Sequence, residues 1–170
     1  VTPVDSRQAL FDPPRLLALL AELGIEAVTY EHDPVLTVAE SKVATAHVAG
    51  GHCKNLFLEE RGGSTWLVVL SEEKPLDLRG LAEVLGTRRL SFAGAGRLNE
   101  LLGVASGSVS PFAVANDPER KVRVVLDRAL LDRAALKFHP LVNTRTTVVS
   151  PEGLLRFLDS RGHPPRIVDL

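Results

Sequence analysis

Methionine is absent from this chain of 170 residues, and cysteine occurs once, at Cys53. A single cysteine excludes an internal disulfide, and without methionine Val1 is not expected to be an unprocessed start. No stretch approaches the roughly 18 uninterrupted apolar residues of a membrane helix. Val1 to Gln8 lacks the charged-then-apolar pattern of a secretory leader, so the expectation is a cytoplasmic protein with no membrane partner. An excess of either charge is also missing: 20 Lys and Arg face 21 Asp and Glu, for a formal net charge of -1. So weak a field gives no reason for non-specific attachment to nucleic acid, DNA included. An RNA contact would need a local patch, for which Arg88-Arg89, Arg97 and Arg120-Lys121-Arg123 are available, with solvated surface charge as the plainer reading.

Familiar chemical signatures are missing too. Neither a Gly-x-x-x-x-Gly-Lys phosphate loop nor a Gly-x-Gly-x-x-Gly dinucleotide signature occurs, which argues against nucleoside triphosphates and NAD. Ser106, Ser108 and Ser110 raise the question of a Ser-Lys nucleophile with Lys54 as base. The strand-turn-helix elbow Gly-x-Ser-x-Gly fails, however, because Gly107-Ser108-Val109-Ser110-Pro111 has proline where the second glycine belongs. His47, His52 and Cys53 form a His-x4-His-Cys set. Zinc would want a further ligand, and His32, His139 and His163 stand at no recognisable spacing, so neither metal nor cofactor is expected.

With 45% hydrophobic residues the chain is long enough for one substantial core, and residues 1-170 read as a single domain. Asp12, Pro13 and Gly24 bracket a leucine-rich first helix. A strand over Ala27 to Glu31 follows, and the Thr37-x-x-Glu40 capping box starts a helix at about residue 38 that Gly50-Gly51 stop. Strands from Cys53 to Leu58 and Ser64 to Leu70 flank Arg61-Gly62-Gly63 as a hairpin. Helices are predicted over Leu78 to Leu85, Arg97 to Leu102 and Pro151 to Leu158. Arg89 to Phe92, Val122 to Leu126, Leu136 to Phe138 and Arg145 to Val149 read as strands, with Ile167-Val168 as a final edge. Hairpins mixed with crossovers predict an α/β (α+β) fold, a mixed, mostly antiparallel sheet surrounded by helices.

Lys54 is the misfit in this pattern. Alternation puts it on the same face as Leu56 and Leu58, where an unpaired ammonium is costly. It must lie at the strand's open end, pair with a carboxylate, or hold an anionic or electron-rich ligand. The run Gly103 to Phe112 is small and glycine-containing, and reads either as a surface turn or as a loop whose amides approach an acyl group or oxyanion. His139, at a strand end before Pro140 and four residues from Asn143, either packs structurally or orients a water or a ribose hydroxyl.

Taken together, the Thr37-led helix, Cys53-Lys54-Asn55-Leu56, Gly107 to Phe112, and Phe138-His139-Pro140-Leu141-Val142-Asn143-Thr144 followed by the Ser150-Pro151 helix resemble the YbaK-type family of aminoacyl-tRNA deacylases. The resemblance covers nearly the whole chain and is greatest to the free-standing prolyl-tRNA editing (ProX) branch, similar to the editing domain inserted in many bacterial prolyl-tRNA synthetases. It implies a trans-editing hydrolase that removes alanine from mischarged tRNA(Pro), using water assisted by a ribose hydroxyl of the tRNA. Lys54, His139 and Gly107 would be the catalytic residues, Lys54 meeting the terminal adenosine or the scissile ester and Gly107 framing the oxyanion. Asn55, Ser108, Ser110, Pro111, Asn143 and Thr37 would contact substrate. The implied partners are the tRNA(Pro) acceptor end and, beyond it, prolyl-tRNA synthetase or an elongation factor.

The logic is physical as well. A pocket built for proline rejects the smaller alanine weakly, since missing methylenes are worth only about 1-3 kcal/mol, so a second, smaller site is needed. Val43, Ala46 or Phe112 are candidates for its walls. Deacylation of cysteinyl-tRNA(Pro) or another small aminoacyl ester is the alternative activity, and a tRNA- or synthetase-binding module without turnover is the non-enzymatic one.

Overall fold

The computed structural model describes residues 9-170; the reading of Val1 to Gln8 lies outside them. Thirteen helices and strands follow in the order α1 (Pro13–Glu22), β1 (Val28–Glu31), α2 (Val38–Ala44), β2 (Gly51–Glu60), β3 (Thr65–Ser71), α3 (Leu78–Leu85), β4 (Leu90–Phe92), α4 (Ala95–Leu102), β5 (Val122–Asp127), β6 (Leu136–Phe138), β7 (Arg145–Val149), α5 (Pro151–Ser160) and β8 (Arg166–Val168). Strand order is β1-β7-β6-β2-β3-β5-β8, with β4 also pairing β2. The pairs β1-β7, β6-β7, β2-β3 and β2-β4 are antiparallel, while β2-β6, β3-β5 and β5-β8 are parallel. The expected mixed, mostly antiparallel sheet is therefore present.

Helix starts follow their caps. Asp12 accepts from the Arg15 amide, Asp77 from Gly80, and Ser150 from Gly153. At α2 both halves of the capping box form: Thr37 Oγ1 accepts from the Glu40 amide, and the Glu40 carboxylate accepts from the amides of Leu36 and Thr37, supplying acceptors for donors the first helical turn leaves unpaired.

Alternation along β3 supplies both sides of the sheet. Leu67 and Val69 join Leu16, Leu20, Leu102, Phe112, Phe157 and Leu158 in one core, whereas Trp66, Val68 and Leu70 join Leu81 and Leu85 in a second beneath α3. Phe112 lies edge-on to Phe138 and Phe157, with centroids 5.8 and 5.3 Å away, the arrangement aromatic quadrupoles favour.

Several boundaries differ from the sequence reading. α2 stops at Ala44, with Thr45 bonded back to the Ser41 carbonyl through its backbone and its hydroxyl, and Gly51 opens β2 rather than closing the helix. α4 begins two residues before Arg97, and α5 extends to Ser160. Pro111–Asn116 and Arg128–Asp132 form 3-10 turns, whose three-residue repeat is too short to leave an amphipathic signature.

β2 organises the functional region. It pairs with β6 only through Gly51 and His52, and with β4 only from Leu58 onward. Between those pairings this edge of β2 has no strand beside it among the described residues.

Candidate active site

Two residues of that unpaired stretch, Cys53 and Asn55, form part of the wall of a cavity of about 120 Å³. Val35 to Val38 and Ser41 close it from the start of α2, Ser106, Gly107 and Val109 from the small-residue loop, and His52, Lys137, Phe138, His139 and Thr146 from the sheet. No carboxylate among the described residues lines it, so a substrate bearing negative charge in its transition state meets no opposing anion from them.

His139 enters from the end of β6. Its Nδ1 is 2.9 Å from the Arg145 carbonyl, an acceptor, so Nδ1 carries the proton and Nε2 is a bare lone pair. The turn behind it is tight: the Leu141 amide donates to the His139 carbonyl at 2.9 Å, and Leu141 takes φ +70°, uncommon for a residue with a side chain. Burial, only partly offset by the Arg145 carbonyl, lowers the His139 pKa, which keeps the ring neutral at neutral pH. His32 stands behind it with ring centroids 6.0 Å apart, joined to the Asp33 carbonyl and Thr146 Oγ1, each at 2.8 Å.

Asn143 organises the opposite wall. Its Nδ2 donates to the Val35 carbonyl at 2.8 Å while its own carbonyl accepts from the Val35 amide at 3.3 Å. Gly107 lies alongside: a Cβ there would sit 3.5 Å from Asn143 Nδ2 and 3.6 Å from the Val35 carbonyl oxygen. Asn55 Oδ1 is buried with no hydrogen-bond partner among the described residues. A buried acceptor left unpaired costs about 1-3 kcal/mol, and a donor brought by a ligand would remove that cost.

Of the residues proposed from sequence, Thr37, Asn55, Gly107 and His139 therefore share one cavity, with Asn143 bracing it. Four do not reach it. Ser108, Ser110 and Pro111 are buried behind the loop, Ser110 with its hydroxyl unpartnered. From this loop it is Ser106, Gly107 and Val109 that line the cavity, because the 3-10 turn at Ser106–Ser108 turns Gly107 toward it and buries Ser108. Lys54 is the fourth. Strand alternation sends it to the face opposite Cys53 and Asn55, and its Nζ donates to the Lys74 carbonyl. Its ammonium is thus held at the turn beyond β3 and not at the cavity wall. The suggested walls also change, since Val43 and Ala46 are exposed and Phe112 is fully buried in the core; Val35, Leu36, Val38, Val109 and Phe138 supply the apolar surface.

Nucleophilic side chains are poorly served here. Burial pushes the Cys53 thiol up to about 12, leaving almost no thiolate at neutral pH. His47 packs edge-on against Tyr30, with centroids 6.0 Å apart, and His52 turns to Lys137; among the described residues no three His, Cys, Asp or Glu side chains gather as metal ligands.

The sequence reading weighs His52 only as a metal ligand and passes over Lys137 as a site residue. Lys137 carried the signal that singled out Lys54, a lysine between two buried residues of a short central strand, Leu136 and Phe138. It is 7% exposed, and burial lowers its pKa.

Comparison with known proteins gives the arrangement a context. Residues 32–157 match the family model described as an aminoacyl-tRNA editing domain. The prolyl-tRNA editing protein ProX of Acetoanaerobium sticklandii is 35% identical over 98% of this chain and 99% of its own length. A prolyl-tRNA synthetase associated domain-containing protein of Danio rerio is 37% identical over 99% of this chain and 89% of its own. A solved structure described as a candidate trans-editing enzyme for prolyl-tRNA synthetase has the same fold, with a TM-score of 0.68 over 95% of this chain and 98% of its own at 21% identity.

Proposed function

We propose, for a chain that belongs to the aminoacyl-tRNA editing domain family, that it is a trans-editing deacylase clearing alanine from mischarged tRNA(Pro). The observation that carries this reading is the pairing, in one small cavity, of a neutral His139 whose Nε2 lone pair is free with a buried, unpartnered Asn55 Oδ1. The first accepts a proton or orients an O–H donor, and the second receives a donor such as the substrate's α-ammonium or a ribose hydroxyl.

Water attacks the ester carbon in this mechanism, with the ribose hydroxyl of the terminal adenosine or His139 Nε2 holding its proton. The carbon-oxygen bond to the ribose breaks, and the ribose oxygen leaves with a proton. The Ser106-Gly107 loop frames the acyl group, and Gly107 without a side chain preserves its space. The inert Cys53 thiol fits water as the nucleophile. Lys54, on the face of β2 opposite Cys53 and Asn55, meets the tRNA end outside the cavity rather than the acyl group. The partner is the acceptor end of tRNA(Pro), delivered free or by the synthetase or an elongation factor.

Size decides which esters enter, so the test is a panel of tRNA(Pro) acylated with alanine, cysteine, serine or proline. Release of alanine with proline spared is expected. Preference for cysteine would reject the alanine assignment, and no turnover on any ester would favour a binding module. Ser41 and Ser106 among the wall residues favour, as the second reading, a small hydroxylated acyl group, and the seryl ester reports on it.

A further inference from the structure

We propose that Lys137 locks His52 into the tautomer that presents Nδ1–H to the cavity, making His52 a hydrogen-bond donor to the substrate and Lys137 its positioning residue. The substrate in that statement rests on the deacylase reading above; the Lys137–His52 device itself does not.

Register brings the pair together, because parallel pairing of β2 with β6 sets His52 directly opposite Lys137. The ammonium lies 2.9 Å from His52 Nε2, 2.9 Å from the Val48 carbonyl and 3.3 Å from the Thr45 carbonyl. An ammonium has three donors and no lone pair. Its three hydrogens are thus spent on three acceptors, and none remains for a substrate. Nε2 of His52 must be one of those acceptors, which places the imidazole proton on Nδ1. That nitrogen makes no hydrogen bond with the described residues and is not among the buried unpartnered atoms, and His52 is one of the residues that line the cavity.

The backbone is shaped around this lysine. Gly50 takes φ +134°, and a Cβ there would lie 3.1 Å from Lys137 Cγ, so both its conformation and the close approach of the lysine stem call for glycine. No carboxylate pairs with Lys137 among the described residues, although it is only 7% exposed. A cation buried on carbonyls and an imidazole, without a counter-charge, is a costly way to fill a core position. It does what an apolar residue there would not, which is to fix a proton on the far side of the ring.

The outcome is a cavity with two imidazoles of opposite sense. His139 has Nδ1–H tied to the Arg145 carbonyl and offers an acceptor at Nε2; His52 has Nε2 tied to Lys137 and offers a donor at Nδ1. A scissile ester needs both, an acceptor for the attacking O–H and a donor for the carbonyl oxygen as it gains charge. His52 transfers no proton in this scheme. Burial and the neighbouring Lys137 charge lower its pKa, so it remains a neutral donor.

Imidazole 15N spectra of the protein with labelled histidine, recorded without tRNA, read the tautomer directly. His52 protonated at Nδ1 and bare at Nε2 is expected, changing to a mixture in Lys137→Met. Kinetics on alanyl-tRNA(Pro) then read the consequence: His52→Phe and Lys137→Met should each lower kcat about 100-fold with KM changed less than about threefold. A wild-type His52 proton on Nε2 overturns the proposal, as does His52→Phe with wild-type kcat. Because the wild-type spectrum needs neither substrate nor variant, it still decides whether Lys137 locks His52 if a variant does not fold. Wild-type protein inactive on every ester would remove the deacylase reading and with it His52's role as a substrate donor, leaving the tautomer lock to stand or fall on the spectrum.

Discussion

Replacing His139 with asparagine separates the two nitrogens of its ring. Asparagine carries an amide donor near the position of Nδ1, so the 2.9 Å bond to the Arg145 carbonyl is retained in kind, while nothing stands in for Nε2. A neutral hydrogen bond contributes about 1 kcal/mol net, so His139→Asn should alter unfolding free energy by less than about 1 kcal/mol. Alanine, which leaves the carbonyl without a partner, should cost more. Activity should respond on another scale: removing a positioned acid-base group costs on the order of 100-fold, equivalent to about 2.7 kcal/mol of transition-state stabilisation. Urea unfolding and single-turnover deacylation of alanyl-tRNA(Pro), measured on the same preparation, check both numbers. The wild-type pH profile supplies the second arm. His139 has its folded-state pKa lowered by burial, so Nε2 takes up a proton only below the ordinary imidazole value of about 6.5. Turnover should therefore be flat through neutral pH and fall in acid below that range, and the acid limb should vanish in the residual activity of His139→Asn. Wild-type turnover in His139→Asn would refute the role assigned to Nε2, however stable the variant.

Asp117, 3% exposed, accepts from the amides of Val122 and Lys121 and lies 2.9 Å from His163 Nε2; burial pushes its pKa up, but His163 and the two amides outweigh that and hold it below the usual value. A carboxylate with a depressed folded pKa contributes stability above its unfolded pKa, about 3.9, and loses it as pH falls through the folded value. Asp117→Asn should thus cost about 3 kcal/mol at pH 7 and flatten the dependence of the urea midpoint on pH below about 4; an unchanged acid dependence would count against the pair. Thr37→Ala removes the side-chain half of the α2 cap and should destabilise by about 1 kcal/mol, raising KM more than it lowers kcat because the loosened segment is a cavity wall, as steady-state kinetics would record. Lys54→Ala should weaken tRNA binding about tenfold with the released acyl group unchanged; equal KM in variant and wild type would remove Lys54 from the tRNA contact.

The contrast between Lys54 and Lys137 marks where a one-dimensional pattern stops. Capping residues, glycine stops and alternation made the helices and most strands legible, because those signals are local: Asp12, Thr37, Asp77 and Ser150 each bond within three residues of themselves. The same alternation exposes a lysine in an apolar strand and cannot say what lies on the far side. Lys54 and Lys137 present one sequence anomaly, yet the first reaches a backbone carbonyl away from the cavity while the second spends its three hydrogens on the segment that follows α2 and on His52. What separates them is the neighbour across each strand, Leu70 for Lys54 and His52 for Lys137. Parallel pairing of β2 with β6 joins residues 85 positions apart, and no spacing rule spans such a distance. The loop residues divide for a related reason. Gly107 and Ser108 are adjacent in sequence, but a 3-10 turn rotates successive side chains by about a third of a revolution, so one opens to the cavity and the next is buried. Motif membership located the loop, and backbone geometry alone assigned its residues to cavity or to core.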